Sequence, residues 1–395
     1  MDKKEFLAKY AVERRGSECM KWDELAEKFG RDGLIAMWIA DMDFKTSEHI
    51  VEAIKARADH GAFGYSMVPD SYYEALSDWM QQRHGMAIDR DWVRFSTGCV
   101  TGIAWAIDCF TKPGDACMIL TPVYYPFHNV VTNNNRKLVK VELAYDNGRY
   151  EMDFDAIERA IVDNDVKLFI QCSPENPSGR VWTEEELDRV LAICAAHDVL
   201  VVSDEIHGDI TLDGHEFVPS LRVKGGAYAD RLIVLHAASK TFNLASLAHS
   251  HIIIADEALR KRFDTWASGM NRTEVNSLSL AATEAGYRHG GEWLDCVLGI
   301  VEDNFHYLRD TLARELPEVT VVPLEGTYLA YLDLAAYVGA DELHDFVVNE
   351  CHLAVDYGDQ FGDRCPSFIR LNLATTPELV EKAVENLVTA VKARG

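Results

Sequence analysis

The chain has no extended run of lysines and arginines. Acidic residues outnumber basic ones 64 to 39, for a formal net charge of -25, and a phosphate-backbone partner needs a basic face from which counterions can be released. Nucleic acid is therefore not an expected partner. No apolar run is long enough to span a bilayer, and the N-terminal MDKKEFLAKYAVERRGSECMKWDELAEKFG lacks the apolar core and small-residue cleavage site of a signal peptide. No membrane partner is expected, and the expected location is cytoplasmic. The nine cysteines are odd in number, stand singly and form no C-x-x-C pair, so neither a disulfide framework nor a zinc ribbon is indicated. They read as small buried hydrophobes. G-x-G-x-x-G and G-x-x-x-x-G-K-[ST] are both missing, which removes the dinucleotide and P-loop readings. H-E-x-x-H is missing as well, and His249 and His251 of HSH read as surface or packing residues, so no metal is expected. There is no repeat and no Gly/Ser-rich linker.

What is present is a chain of 395 residues, 48% hydrophobic, long enough for a large and a small domain. From about residue 46 to residue 285, short β-branched runs alternate with helical patterns, as in a mostly parallel sheet covered by helices. The runs are ACMILT (116–121), KLVKVEL (137–143), VKLFIQC (166–172), VLVVSD (199–204), RLIVLH (231–236) and HIIIA (251–255). Thr183 and Glu186 have capping-box spacing, and Leu187, Val190, Leu191 and Cys194 then share one helical face. After Asn276 a long helical tract leads into strands TVVPL, TYLAYLDL and FIRLNLA, with one more helix, ADELHDFVVNECH, among them. The expected division is an N-terminal segment, 1–45, packing with the small domain; a large domain, 46–285; and a small α+β domain, 286–395.

Four features carry possible chemistry. Asp204 closes the run VLVVSD, with Glu205 and His207 just beyond it. A lone strand-end aspartate is commonly a solvated acid, but a buried one needs a positive partner. Lys240 follows the next apolar run, and a lysine there is ordinarily a snorkelling surface residue. Charged groups at the carboxyl ends of consecutive strands converge on one crevice, however, and only a desolvated lysine serves as a base or nucleophile. The third feature is SPENPSGRVW, where Pro174, Pro177 and Gly179 make a rigid turn around Asn176. In the fourth, Gly98 of FSTGCVTGIAWAIDCF precedes a helical pattern whose free N–H groups can hold a phosphate.

These features, in this order, resemble the fold-type I enzymes that use pyridoxal 5'-phosphate (PLP), the aspartate aminotransferase superfamily. MWIADMDF, HGAFGYS, TPVYYPF, NPSGRVW, VVSDEIH, SKTFN, YRHGGEWLD and EGTYLAYLDL together look like its carbon–sulfur β-lyase branch, the MalY/PatB group of cystathionine β-lyases. The resemblance implies a large domain with a mostly parallel seven-stranded sheet sandwiched by helices, plus a smaller α+β C-terminal domain. It implies that Lys240 anchors PLP covalently and removes the substrate Cα proton, and that Asp204 pairs with the pyridine nitrogen. Asn176 and His207 would lie at the O3' edge, and Tyr124 would stack on the ring. Backbone N–H groups of Gly98, Cys99 and Val100, with the Ser239 hydroxyl, would hold the phosphate. Arg370 of FIRLNLA would clamp the substrate carboxylate, and Tyr65 would reach the phosphate in the other subunit of a homodimer. The implied activity is α,β-elimination of L-cystathionine or a related cysteine S-conjugate to thiol, pyruvate and ammonia. The alternatives on the same scaffold are an aminotransferase and a regulatory or binding protein. The chain departs from the pattern at Glu175 (PEN for PHN), at HAA before the lysine, and at Ser246 and Ala248, the last standing where many aminotransferases have a phosphate-binding arginine.

Overall fold

The computed structural model describes residues 1–146, 148–272 and 274–394. The β-branched runs form one sheet of seven strands: β1 (Val93–Ser96), β2 (Ala116–Thr121), β3 (Lys137–Glu142), β4 (Val166–Cys172), β5 (Leu200–Asp204), β6 (Leu232–His236) and β7 (Ser250–Ile253). Their spatial order is β1-β7-β6-β5-β4-β2-β3. From β3 to β6 the pairs are parallel, while β7 runs antiparallel to both its neighbours. Every residue of β2, β6 and β7 is buried, as expected of strands with both faces covered by helices. The strand order reverses beside β4, and such a reversal opens a crevice at the carboxyl ends of the strands.

Helix α1 (Cys99–Phe110) packs across β5, β6 and β7. Its close approach depends on Gly102, because a Cβ there would sit 2.8 Å from Leu235 Cδ2. The helix N-terminus is thereby held over the strand ends. Helix α2 (Glu184–Ala196) begins at the expected capping box, with the Thr183 side chain accepting from the Glu186 N–H and the Glu186 carboxylate accepting from the Thr183 N–H.

A second sheet contains β8 (Thr320–Val321), β9 (Leu329–Asp333), β10 (Asp356–Tyr357) and β11 (Phe368–Asn372), antiparallel throughout and ordered β8-β9-β11-β10. Near the N-terminus Ile35–Ala36 pairs in parallel with Leu353–Ala354. Two helical expectations need correction. The tract after Asn276 is two helices, α3 (Ser277–His289) and α4 (Gly291–Glu315), parted at Gly290, where a Cβ would lie 2.4 Å from the Phe242 ring. The segment ADELHDFVVNECH is a 3-10 turn, one α turn and a π turn over Phe346–Glu350. Adjacent Phe346 and Val347 are both fully buried there, and a wider turn brings neighbouring side chains closer in angle. Among the described residues no helix is long and apolar enough to cross a membrane.

Candidate active site

Strand β6 ends at His236 and the chain turns at once into a single helical turn, Ala238–Thr241, that carries Lys240. Two side chains fix this turn. Thr241 Oγ1 donates to Asp209 Oδ2 at 2.6 Å, and Asp209 also accepts from Trp79 Nε1 at 2.9 Å and pairs with His84 Nε2 at 2.7 Å. Asn243 accepts from the Met42 N–H at 3.0 Å and donates to the Met42 and Phe44 carbonyls, both at 2.9 Å. SKTFN and MWIADMDF are thus two halves of one clamp, and Lys240 Nζ closes it by donating to the Ala40 carbonyl at 2.6 Å. The partly buried lysine lines a cavity. Desolvation lowers its pKa, the Asp41 charge works the other way, and the Arg370 charge adds to the lowering.

The cavity measures about 190 Å³, and its walls include Lys240, Asp204, Asn176, His207, Tyr124, Ser239 and the start of α1. Asp204 ends β5, opposite Cys172 of β4 and Leu235 of β6. It is 4% exposed and accepts a hydrogen bond from the Ile206 N–H at 3.2 Å. Burial pushes its carboxyl up to about 7, so a cation in the cavity would find a ready partner. His207 is also buried, and burial followed by the Lys240 and Arg370 charges holds it well below the usual imidazole range. Its Nδ1 has no partner among the described residues, and its ring meets that of Tyr328 edge-on at 5.9 Å. Burial pushes the Tyr124 phenol up to about 12, so it remains a neutral aromatic wall.

At the other end of the cavity, Gly98, Cys99 and Val100 present the first turn of α1, which has no side-chain cap. A Cβ at Gly98 would meet no protein atom within 4 Å. Free N–H groups facing open space at a helix N-terminus suit an anion.

Arg370, in the middle of β11, is 2% exposed. It donates through Nη1 to Asn176 Oδ1 at 2.7 Å and through Nη2 to the Trp38 carbonyl at 3.0 Å and to the Asp356 carboxylate. Its guanidinium lies 4.8 Å from the Phe361 ring. Asp356 stands opposite Arg370 in the β10–β11 register. A second hydrogen on Nη1 stays free and Nε has no partner among the described residues, which leaves donors for an incoming carboxylate.

The structure therefore brings Lys240, Asp204, Asn176, His207, Tyr124, Ser239, Gly98, Cys99 and Val100 to one cavity, with Arg370 joined to it through Asn176. Tyr65 stands apart, fully exposed in the segment between helices Glu48–Asp59 and Asp70–His84. Ala248, at φ 50°, and Ser246 are not among the wall residues. Thr97, Thr101 and His249 are, and sequence reasoning missed all three. Thr97 and Thr101 flank Gly98 in the sequence and had a signal. His249 is a correction, because it is buried and faces the cavity, while His251 is a buried packing residue.

Glu175 is also buried, accepting from the Ser178 N–H at 2.8 Å and from the Ser178 hydroxyl. Burial pushes it up to about 8, with the Ser178 bonds opposing. The folded protein thus binds this proton more tightly than the unfolded chain. Its stabilising contribution is complete below the ordinary glutamate pKa and is lost as pH rises toward 8. Glu175→Gln, which cannot ionise, is therefore expected to gain melting temperature relative to the wild type as pH goes from about 5 to about 9. A melting-temperature difference that stays flat across that range contradicts the assignment.

Together these groups fit a ligand with an anion at one end and a flat ring bearing a cationic atom at the other, beside a lysine able to lose its proton. Residues 33–387 match the model of the family aminotransferase class I and II. Cystathionine beta-lyase PatB of Bacillus subtilis (strain 168) is 37% identical over 380 residues, spanning 96% of this chain and 98% of PatB. Protein MalY of Escherichia coli (strain K12) is 31% identical over 385 residues, spanning 97% of this chain and 98% of MalY. Among solved structures, cystalysin from Treponema denticola, which contains a pyridoxal 5'-phosphate cofactor, aligns with a TM-score of 0.93 at 32% identity, covering 97% of this chain and 98% of cystalysin.

Proposed function

This chain belongs to the aminotransferase class I and II family, and from that premise we propose that it is a PLP-dependent carbon–sulfur β-lyase acting on L-cystathionine or related cysteine S-conjugates. The observation that carries the reading is the meeting of three groups at one cavity: a partly buried lysine with a lowered pKa, a buried carboxyl held at about 7, and an uncapped helix N-terminus. The names of the relatives PatB and cystalysin support it.

The residues present fit the cofactor. The N–H groups at Gly98, Cys99 and Val100, with the Ser239 hydroxyl, would hold its phosphate. Asp204 would pair with the ring nitrogen, Asn176 and His207 would lie at the O3' edge, and Tyr124 would cover a face. Lys240 would hold it covalently. When bound, PLP supplies a sink for the electron pair left behind by the Cα proton.

Arg370 holds the substrate carboxylate, and Asn176 fixes the guanidinium that does so. Lys240, neutral more readily than a solvated lysine, takes the Cα proton and holds it within the cavity. Asp204, next to a cation, would stay a carboxylate and stabilise positive charge on the ring nitrogen. The Cβ–S bond then breaks with its electron pair on sulfur, which leaves as the thiol after gaining a proton. Water converts the enamine product to pyruvate and ammonia. Tyr65 of a second copy would complete the phosphate end, which makes the homodimer part of this reading. So is the division into residues 1–45, 46–285 and 286–395.

The holoenzyme incubated with L-cystathionine and no 2-oxo acid is expected to release thiol and pyruvate in equal amounts over many turnovers. Release of neither, together with amination of an added 2-oxo acid, would make it an aminotransferase instead. A regulatory or binding protein without catalysis would show neither activity. The retained Lys240, Asp204, Asn176 and Arg370 weigh against that outcome.

A further inference from the structure

The phosphate end of the cavity is short of positive charge. A phosphate monoester carries about 1.5 to 2 negative charges at neutral pH. The wall around the start of α1 offers Thr97, Thr101, Ser239, Ala245 and His249, and among the described residues the one lysine or arginine in the cavity wall is Lys240. Lys240 is committed to the other end. His249 is the remaining nitrogen donor among these wall residues.

Which nitrogen of His249 carries its proton is set by its neighbours. Its Nε2 lies 2.6 Å from the Tyr72 hydroxyl, and that hydroxyl also lies 2.6 Å from His251 Nε2. A hydroxyl has one hydrogen and two lone pairs, so it can donate to one ring while accepting from the other. His251 is fully buried among the rings of Phe95, His236 and Tyr287, and its Nδ1 has no partner. With its proton on Nε2, His251 donates to Tyr72. Tyr72 in turn donates to His249 Nε2, and the His249 proton is left on Nδ1. Burial also holds His249 down at about 4, so the ring is neutral and that single proton is the one it can offer. Nδ1 has no partner of its own among the described residues, and His249 keeps 8% exposure in the cavity wall.

We infer that His249 is a cofactor-binding residue of this chain: it donates its Nδ1–H to the phosphate, with the tautomer fixed from behind by Tyr72 and His251. The inference rests on the PLP reading above. A hydrogen bond to a charged group is worth enough to change affinity by about tenfold or more.

The test is equilibrium dialysis of the holoenzyme to obtain the PLP dissociation constant, run in parallel with pyridoxal, which has the ring and aldehyde but no phosphate. His249→Phe is expected to weaken PLP binding by about tenfold or more and to leave pyridoxal binding unchanged. His249→Asn, whose side-chain NH₂ stands near the place of Nδ1, is expected to stay within about threefold of the wild type. Tyr72→Phe keeps the packing but frees the tautomer, and is expected to weaken PLP and not pyridoxal. Equal losses for both ligands, or no loss for PLP in either aromatic variant, would overturn the inference while leaving the proposed function intact. A wild-type protein that binds no PLP would overturn both.

Discussion

Lys240→Ala is expected to lower kcat for thiol release from L-cystathionine by about 10⁴-fold or more. Two losses combine in that one variant. The covalent anchor disappears, and so does the base that takes the Cα proton, a contribution of about 10² to 10⁴ on its own. The surroundings explain why no other group replaces it. Asp204 would pair with the ring nitrogen and sits at about 7, while His207 is held well below its usual range by burial and by the Lys240 and Arg370 charges. Lys240→Arg is expected to be as inactive, because a guanidinium keeps its proton at any working pH and cannot form the covalent link. Steady-state assays of both variants with saturating PLP check this. Turnover within about tenfold of the wild type would remove Lys240 from the mechanism.

Arg370→Ala is expected to damage substrate capture and stability together. Truncating one partner of a buried hydrogen-bonded charge pair costs about 2 to 5 kcal/mol, or about 30-fold to about 5,000-fold in kcat/KM, and the loss should fall mainly on KM. The same change strands Asp356, which is 8% exposed and already held above the usual carboxylate range by burial. Breaking a buried pair in this way destabilises a fold by about 3 to 5 kcal/mol. The double variant Arg370→Ala/Asp356→Asn separates the two effects. It is expected to recover much of the lost denaturation midpoint and none of the lost KM. Full recovery of KM would mean that Arg370 serves the fold and not the substrate carboxylate.

Much of the large sheet could be read from sequence, because fully buried strands such as ACMILT and LIVLH are short apolar runs with turn residues on either side. Direction could not. HIIIA is as apolar as the parallel strands, yet β7 runs against β6, since nothing in a strand buried on both faces encodes its orientation. Strand β1 has no separate apolar run, because VRFS leads directly into the glycine-bearing start of α1. Lys240, Asp204 and Asn176 were legible because each stands at a strand end or in a turn whose purpose shows locally. The partners that tune them were not, because they come from far along the chain. Asp356 reaches Arg370 through cross-strand register, and Tyr72 reaches His249 across 177 positions. His249 illustrates the limit well, since HSH carries no local sign that one histidine packs in the core while the other faces a cavity.

Lys240 as the covalent anchor of PLP is the central claim, and one measurement addresses it directly. The purified holoenzyme is reduced with borohydride, digested and sequenced by mass spectrometry. The account predicts loss of the visible cofactor band on reduction and a pyridoxyl-phosphate adduct on the peptide that contains Ser239, Lys240 and Thr241. A protein that shows no cofactor band after incubation with PLP, or an adduct on a different lysine, would contradict it.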